Sequence, residues 1–161
     1  MPSLPRSPEE FKEHSRIVVG VDGSDDSRRA LAWAAREAEV RGADLDIVHS
    51  YMFRTVIEDK TPEPFCKDRA VLEEAMARAA ELAPTVHAGG TLTEPPAREA
   101  LVAASEGADL LVVGPRGLGG VGQLMMGSVS SYCVHHAHCP VVVVRSVPAL
   151  AGTLPLAVSD G

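Results

Sequence analysis

The chain has 161 residues, 45 % of them apolar, which suits one domain around one core. Aromatic residues are only 4 %, with Trp33 the single tryptophan, so that core has to be aliphatic. The net charge of −7 argues against general nucleic-acid binding, which needs a positive footprint, while leaving room for one small phosphate ligand.

Residues 1–15 open the chain with prolines and charges and no apolar h-region, so they read as a flexible N-terminal arm rather than a signal peptide. Residues 16–146 carry the alternating pattern of one folded domain. The run Ile17-Val18-Val19-Gly20-Val21, ending in Asp22-Gly23-Ser24, reads as a buried strand. A helix follows over Asp25 to Arg41, with Leu31, Ala34, Ala35 and Ala38 on one face and Gly42 at the C-cap position. Leu45 to Tyr51 reads as a second strand, followed by a polar, proline-bearing stretch, Glu58 to Pro64. The second helix spans Cys66 to Ala83, with an apolar stripe through Val71, Leu72, Ala75, Met76, Ala79 and Leu82, and Pro84 stops it. Val86 to Thr93 is a strand diluted by Gly89 and Gly90. Pro95-Pro96 opens a short helix to Ser105. Asp109 to Val113 is a fourth strand, Ser128 to His136 a fourth helix, and Val141 to Val144 the last strand. Residues 147–161, with further prolines and glycines, read as a flexible tail.

This βαβαβαβαβ pattern predicts an α/β fold: a five-stranded parallel sheet, order 3-2-1-4-5, with helices on both faces. In that order the winding reverses between the first and fourth strands. Ligands of such sheets bind beyond the carboxyl ends at the reversal. The loops that meet there are Gly20 to Ser24 and the segment starting at Gly114.

That segment, Gly114 to Ser128, is rich in glycine. Glycine lets the main chain approach a ligand and turn successive amides toward an anion. Gly127-Ser128 opens a helix whose free amides suit a phosphate, and the Ser128 hydroxyl adds a donor. A P-loop is excluded, because no lysine follows Lys67. Gly117, Gly119 and Gly122 formally match G-x-G-x-x-G, but after the wrong strand and without an acid about 20 residues on, so a nicotinamide enzyme is not expected.

The spacing Gly114-x2-Gly117-x9-Gly127-Ser128 resembles the ATP-binding signature of the universal stress protein family. Ile17 to Ser24, Ala43 to His49, Ala108 to Gly114 and Cys139 to Val144 are similar to segments of its single-domain bacterial members, and the likeness covers about Arg16 to Arg145. The resemblance implies ATP with Mg or Mn as cofactor. It implies that Asp22 sits near the ribose or a phosphate-bound cation, and that Gly20, Val48 and Val113 line the adenine and ribose pocket. Gly114 would then approach the ribose, and Gly117, Leu118, Gly119, Gly120, Gly127 and Ser128 would hold phosphates. Pro115 departs from the family pattern and removes one amide donor.

Other residues carry plainer alternatives. Asp22 could simply cap the first helix together with Ser24. Arg116 either pairs a phosphate or stays solvated. Cys133-Val134-His135-His136-Ala137-His138-Cys139 contains zinc-ligand types, but the chain must turn into Pro140 there, and no metal site is expected. Cys66, Cys133 and Cys139 are odd in number and widely spaced, as reduced thiols of a cytoplasmic protein would be. No run approaches the roughly 20 apolar residues of a membrane span.

The leading expectation is an ATP-binding regulatory module of the stress response that reports to an unidentified protein partner. The alternatives are a slow ATP hydrolase or adenylate-forming enzyme of related fold, and an interaction module with an unused pocket. No nucleophile–base pair can be assigned, so catalysis is left open. The four-valine edge, Val141 to Val144, needs covering, and the resemblance points to a homodimer through that strand.

Overall fold

The computed structural model describes residues 15–51, 64–94, 96–118 and 125–146. Five strands and four helices alternate along it: β1 (Arg16–Gly20), α1 (Asp25–Arg41), β2 (Asp44–Ser50), α2 (Pro64–Leu82), β3 (Ala88–Thr93), α3 (Ala97–Ala104), β4 (Leu110–Val113), α4 (Ser128–His136) and β5 (Val141–Val143). All strand pairs are parallel, and the order is β3-β2-β1-β4-β5, as the alternating pattern predicts.

The period of two along each strand divides the core between the two faces of the sheet. Ile17, Val19, Leu45, Ile47, Leu110 and Val112 point toward α1 and α2, where Ala30, Leu31, Ala34, Ala35 and Ala38 meet Ala75 and Ala79. Val18, Val48, Leu111 and Val113 point the other way, onto Leu101 of α3 and Cys133 of α4. Alanines on the buried face of α1 let that helix lie close against the sheet. Its ends are set locally: the Ser24 side chain accepts from the Ser27 amide, and Gly42 closes the helix at φ 63.

Several boundaries differ from those read in the sequence. Val86 donates its amide to Ala83 in the turn after α2, so β3 starts at Ala88. β4 starts at Leu110, although the Asp109 amide still donates to the Arg16 carbonyl at 2.9 Å while its carboxylate accepts from the Arg16 amide at 2.7 Å. α2 begins at Pro64, whose missing amide costs nothing in a first turn. β5 ends at Val143, although the Val144 amide still reaches the Val113 carbonyl at 2.9 Å. Among the described residues no helix is long and apolar enough to cross a membrane. The arm over residues 1–14 and the tail from residue 147 lie outside the described residues.

Candidate functional site

β1 leads into residues 21–24, and β4 leads into the glycine-rich segment. Both emerge at the carboxyl edge of the sheet, where the connections after β1 and β4 pass to opposite faces, α1 on one and α4 on the other. Gly23 takes φ 83, a left-handed conformation that turns the chain back toward α1. A Cβ on Gly23 would also sit 3.3 Å from Val71 of α2, so the loop is packed against that helix.

Asp22 joins the two loops. One carboxylate oxygen accepts from the Ser24 amide at 2.9 Å, and the other accepts from the Leu118 amide at 3.0 Å. The first bond is the plain capping role; the second reaches 96 residues along the chain into the glycine-rich segment. Gly117 is needed for this approach, because a Cβ there would lie 2.5 Å from the Asp22 carboxylate. Gly114 is also required by close packing: a Cβ would stand 3.0 Å from the main chain of Asp26 at the start of α1.

The far end of the segment is closed by Pro115. Its carbonyl accepts from the Gly127 amide at 2.6 Å and from the Ser130 hydroxyl at 2.8 Å. The main chain at residues 115 and 127 therefore meets at one point. Gly127 stands at the N-cap of α4 with φ −68, and no side chain caps that helix. Its own amide serves the loop closure, so the donors left for an anion at this terminus are those of the following first-turn residues, starting with exposed Ser128. A Cβ on Gly127 would meet the main chain of Arg116 at 3.3 Å and the Pro115 carbonyl at 3.4 Å. The glycine is thus fitted to its own loop.

Arg116 leans on α1. Its guanidinium lies 3.5 Å from Asp26, which also pairs with Arg29 at 2.8 Å. Val48 and Val113 are core residues, 2 % and 3 % exposed. Their carbonyls accept from the Val21 and Val144 amides, both at 2.9 Å. Gly20 faces α3, where a Cβ would strike the Leu101 side chain at 2.8 Å. Gly119 and Gly120 lie outside the described residues. Asp22, Gly117, Leu118 and Gly127 therefore belong to the two loops and Ser128 opens α4, while Gly20, Val48 and Val113 stand toward the carboxyl ends of β1, β2 and β4.

Three contributors fall outside the residues read from the sequence, and two of them lack a local signal. Asp26 looks like an ordinary first-turn acid, and Ser130 like a helix surface residue. His49 had the one available signal: it continues the inward period of Leu45 and Ile47 with a polar side chain. It is 5 % exposed, with Nδ1 at 2.8 Å from the Val21 carbonyl and Nε2 at 2.9 Å from Asp68 of α2.

The Cys/His segment divides between inside and outside. Cys133 is buried, and burial pushes its thiol up to about 11. Cys139 is half-buried; burial raises its thiol foremost, with Arg16 lowering it and Asp109 raising it. His135 bonds back to the Ser131 carbonyl at 2.7 Å, and His136 stacks on Tyr132 with ring centroids 4.3 Å apart. Among the described residues no group of three or more His, Cys, Asp or Glu side chains is arranged to hold a metal ion.

The profile described as the universal stress protein family matches residues 13–145. A universal stress protein of Thermus aquaticus is 41 % identical over 142 residues, covering 80 % of this chain and 97 % of that protein. Mycobacterial relatives are longer, and the chain spans about half of their length, 47 % for the Mycolicibacterium smegmatis protein. Among solved structures, a universal stress protein in complex with cyclic AMP superposes with a TM-score of 0.67 at 29 % identity, covering 82 % of this chain and 97 % of the other. The Archaeoglobus fulgidus protein in complex with dAMP gives 0.64 at 26 % identity, covering 81 % and 97 %.

Proposed function

The chain belongs to the universal stress protein family, and we propose that it is an ATP-binding regulator of the stress response. The observation that carries the reading is the bond from the Leu118 amide to Asp22, which ties the β1 loop to the glycine-rich loop at the switch point. A helix N-terminus without a side-chain cap stands beside that junction, and its amides and positive dipole end suit phosphate oxygens. Gly117 lets the glycine-rich loop come close to the Asp22 carboxylate, which brings the two loops together. The two nucleotide complexes among the relatives support the adenine class.

In this reading Gly117, Leu118, Gly119, Gly120, Gly127 and Ser128 surround the phosphates. Gly20, Val48, Val113 and Gly114 form the floor and side of the adenosine pocket. Arg116 swings from Asp26 to a phosphate when one is present. Mg or Mn would be held by the Asp22 carboxylate together with phosphate oxygens, the usual way a hard cation is shared between a protein acid and its nucleotide. The cation would neutralise phosphate charge beside the acids of the first turn of α1. The protein would act in the cytoplasm through a protein partner.

Both nucleotide relatives hold monophosphates, which favours a second reading in which AMP or cyclic AMP is the ligand. Calorimetry with ATP, ADP, AMP and cyclic AMP, each with magnesium, separates the two. ATP should bind most tightly; tighter binding of a monophosphate would move the assignment to the second reading. No heat with any of the four would overturn both.

We also propose a homodimer through β5. Val142 directs its main-chain groups toward β4 and its side chain toward the α1 face of the core. By alternation, Val141 and Val143 direct their N–H and C=O groups outward along an open edge. Val143→Pro removes one outward donor and should shift light scattering at tens of micromolar, roughly the range in which weak dimers persist, from dimer to monomer. A monomeric parent protein would sink this part of the reading.

A further inference from the structure

His49 occupies a position that an aliphatic side chain would fill by pattern, since Leu45 and Ile47 precede it on the same face of β2. A buried imidazole in that place is retained only if its hydrogen bonds are met, because an unmet buried polar group is costly. Both ring nitrogens have partners, and both partners lead to the site. The Val21 carbonyl can only accept, so Nδ1 carries a hydrogen and donates at 2.8 Å. The Asp68 carboxylate of α2, 2.9 Å from Nε2, also accepts, so a second hydrogen shared between Nε2 and Asp68 completes that bond.

The Val21 carbonyl belongs to the peptide unit that ends in the Asp22 amide. That unit is gripped on both sides: His49 holds its oxygen, and the Ser27 hydroxyl accepts from its N–H at 3.3 Å. Its plane sets the direction in which the Asp22 side chain leaves the main chain. Asp22 in turn accepts from the Leu118 amide at 3.0 Å. A continuous path therefore runs from α2 through Asp68, His49 and the 21–22 peptide to Asp22 and the glycine-rich loop. Val71 of α2, packed against Gly23, supports the same loop from the same helix.

We propose that His49 and Asp68 are positioning residues for the nucleotide site: the pair fixes the 21–22 peptide and so aims Asp22 at the glycine-rich loop. The proposal rests on the nucleotide-binding reading above for its ligand, but its geometric half can be tested without one. Asp68 orients the ring by holding Nε2, in the way that a carboxylate behind a ligating histidine fixes its rotation.

The test uses the full-length protein with Asp68→Ala, Asp68→Ser and Asp68→Asn. Asparagine keeps a bond, because its amide donates to Nε2 while Nδ1 keeps its hydrogen; alanine and serine leave Nε2 unheld. Calorimetry with ATP and magnesium should show about tenfold weaker binding for alanine and serine, the lower end of what losing such an outer partner costs, and near-parent affinity for asparagine. Hydrogen exchange at the Leu118 amide should speed up by a similar factor in the first two variants and not in the third. Equal affinity and equal Leu118 exchange in all four proteins, with only the melting temperature lowered, would overturn the proposal and leave the pair a scaffold contact. If the parent protein binds none of the four nucleotides, the functional reading fails by itself. The Leu118 exchange rates then decide whether the pair still orients Asp22.

Discussion

At the amino end of the sheet, Arg16 and Asp109 set their side chains on main-chain groups of neighbouring segments. Asp109 accepts from the Arg16 amide at 2.7 Å and the Ser15 hydroxyl at 3.0 Å. The Arg16 guanidinium donates to the Ala104 and Glu106 carbonyls at and just past the end of α3, at 2.9 and 2.8 Å, and pairs with Asp46 at 3.3 Å. At the carboxyl end, Asp22 spans two loops that depend on glycine for their approach, and α4 starts with no side-chain cap. Both ends set charged side chains on main-chain groups. One satisfies a helix terminus, and the other leaves helix-terminal donors without a side-chain cap. The contrast separates residues that close the fold from residues proposed for a ligand.

Gly127→Asp should break the carboxyl end most strongly. At an effective dielectric of about 20, two unit charges about 4 Å apart repel by roughly 4 kcal/mol. After screening, an affinity loss of about a hundredfold or more remains, since about 1.4 kcal/mol is tenfold. At φ −68 any residue is tolerated, and an acid is favourable at a helix N-terminus, so the variant should fold. The new Cβ must still ease past the Arg116 and Pro115 main chain by a few tenths of an ångström, which loosens the loop closure as well. Titration calorimetry with ATP and circular dichroism together check this; full affinity in a folded variant would remove Ser128 and its neighbours from the phosphate site.

Arg16→Ala should do the reverse. Losing a charged donor to two carbonyls, partly solvent-screened, costs about 1.5 kcal/mol in urea unfolding, while ATP affinity stays within about twofold because the residue lies at the opposite end of the sheet. A drop in affinity matching Gly127→Asp would dissolve the distinction between the two ends.

The smallest effect concerns the thiols. With its thiol pushed up to about 11 by burial, Cys133 should resist iodoacetamide at pH 8 until the protein unfolds, and exposed Cys66 should react first. Cys139, half-buried beside the Arg16–Asp109 latch, should react slowly and at a rate that ATP does not change. Protection of Cys139 by ATP, followed by mass spectrometry, would mean that the amino end responds to the ligand.

Much of this division is legible along the chain. α1 shows its cap, its alanine face and its closing glycine within one short window, so its limits are readable. The strand order follows from alternation and handed crossovers. What escapes is contact between distant segments. Nothing local at Arg116 points to Asp26, and nothing near Gly127 shows that the Pro115 carbonyl takes its amide. Val142 is a case of partial reading: its place on the edge is legible, but its inward side chain is known only once the β4–β5 register is. A Lys there would disturb the core together with any interface, which makes Val143 the better probe.

Trp33 sits half-buried on α1, packed against the aliphatic cluster that the helix covers. As the only indole in the chain, it makes ultraviolet emission a single-site gauge of that helix. Lifting α1 off the sheet would move the indole into water and shift its emission to the red. The same helix begins at the Ser24 cap next to Asp22, so quenching or a wavelength shift on adding nucleotide would report, without any label, how far down α1 a disturbance at the crevice travels.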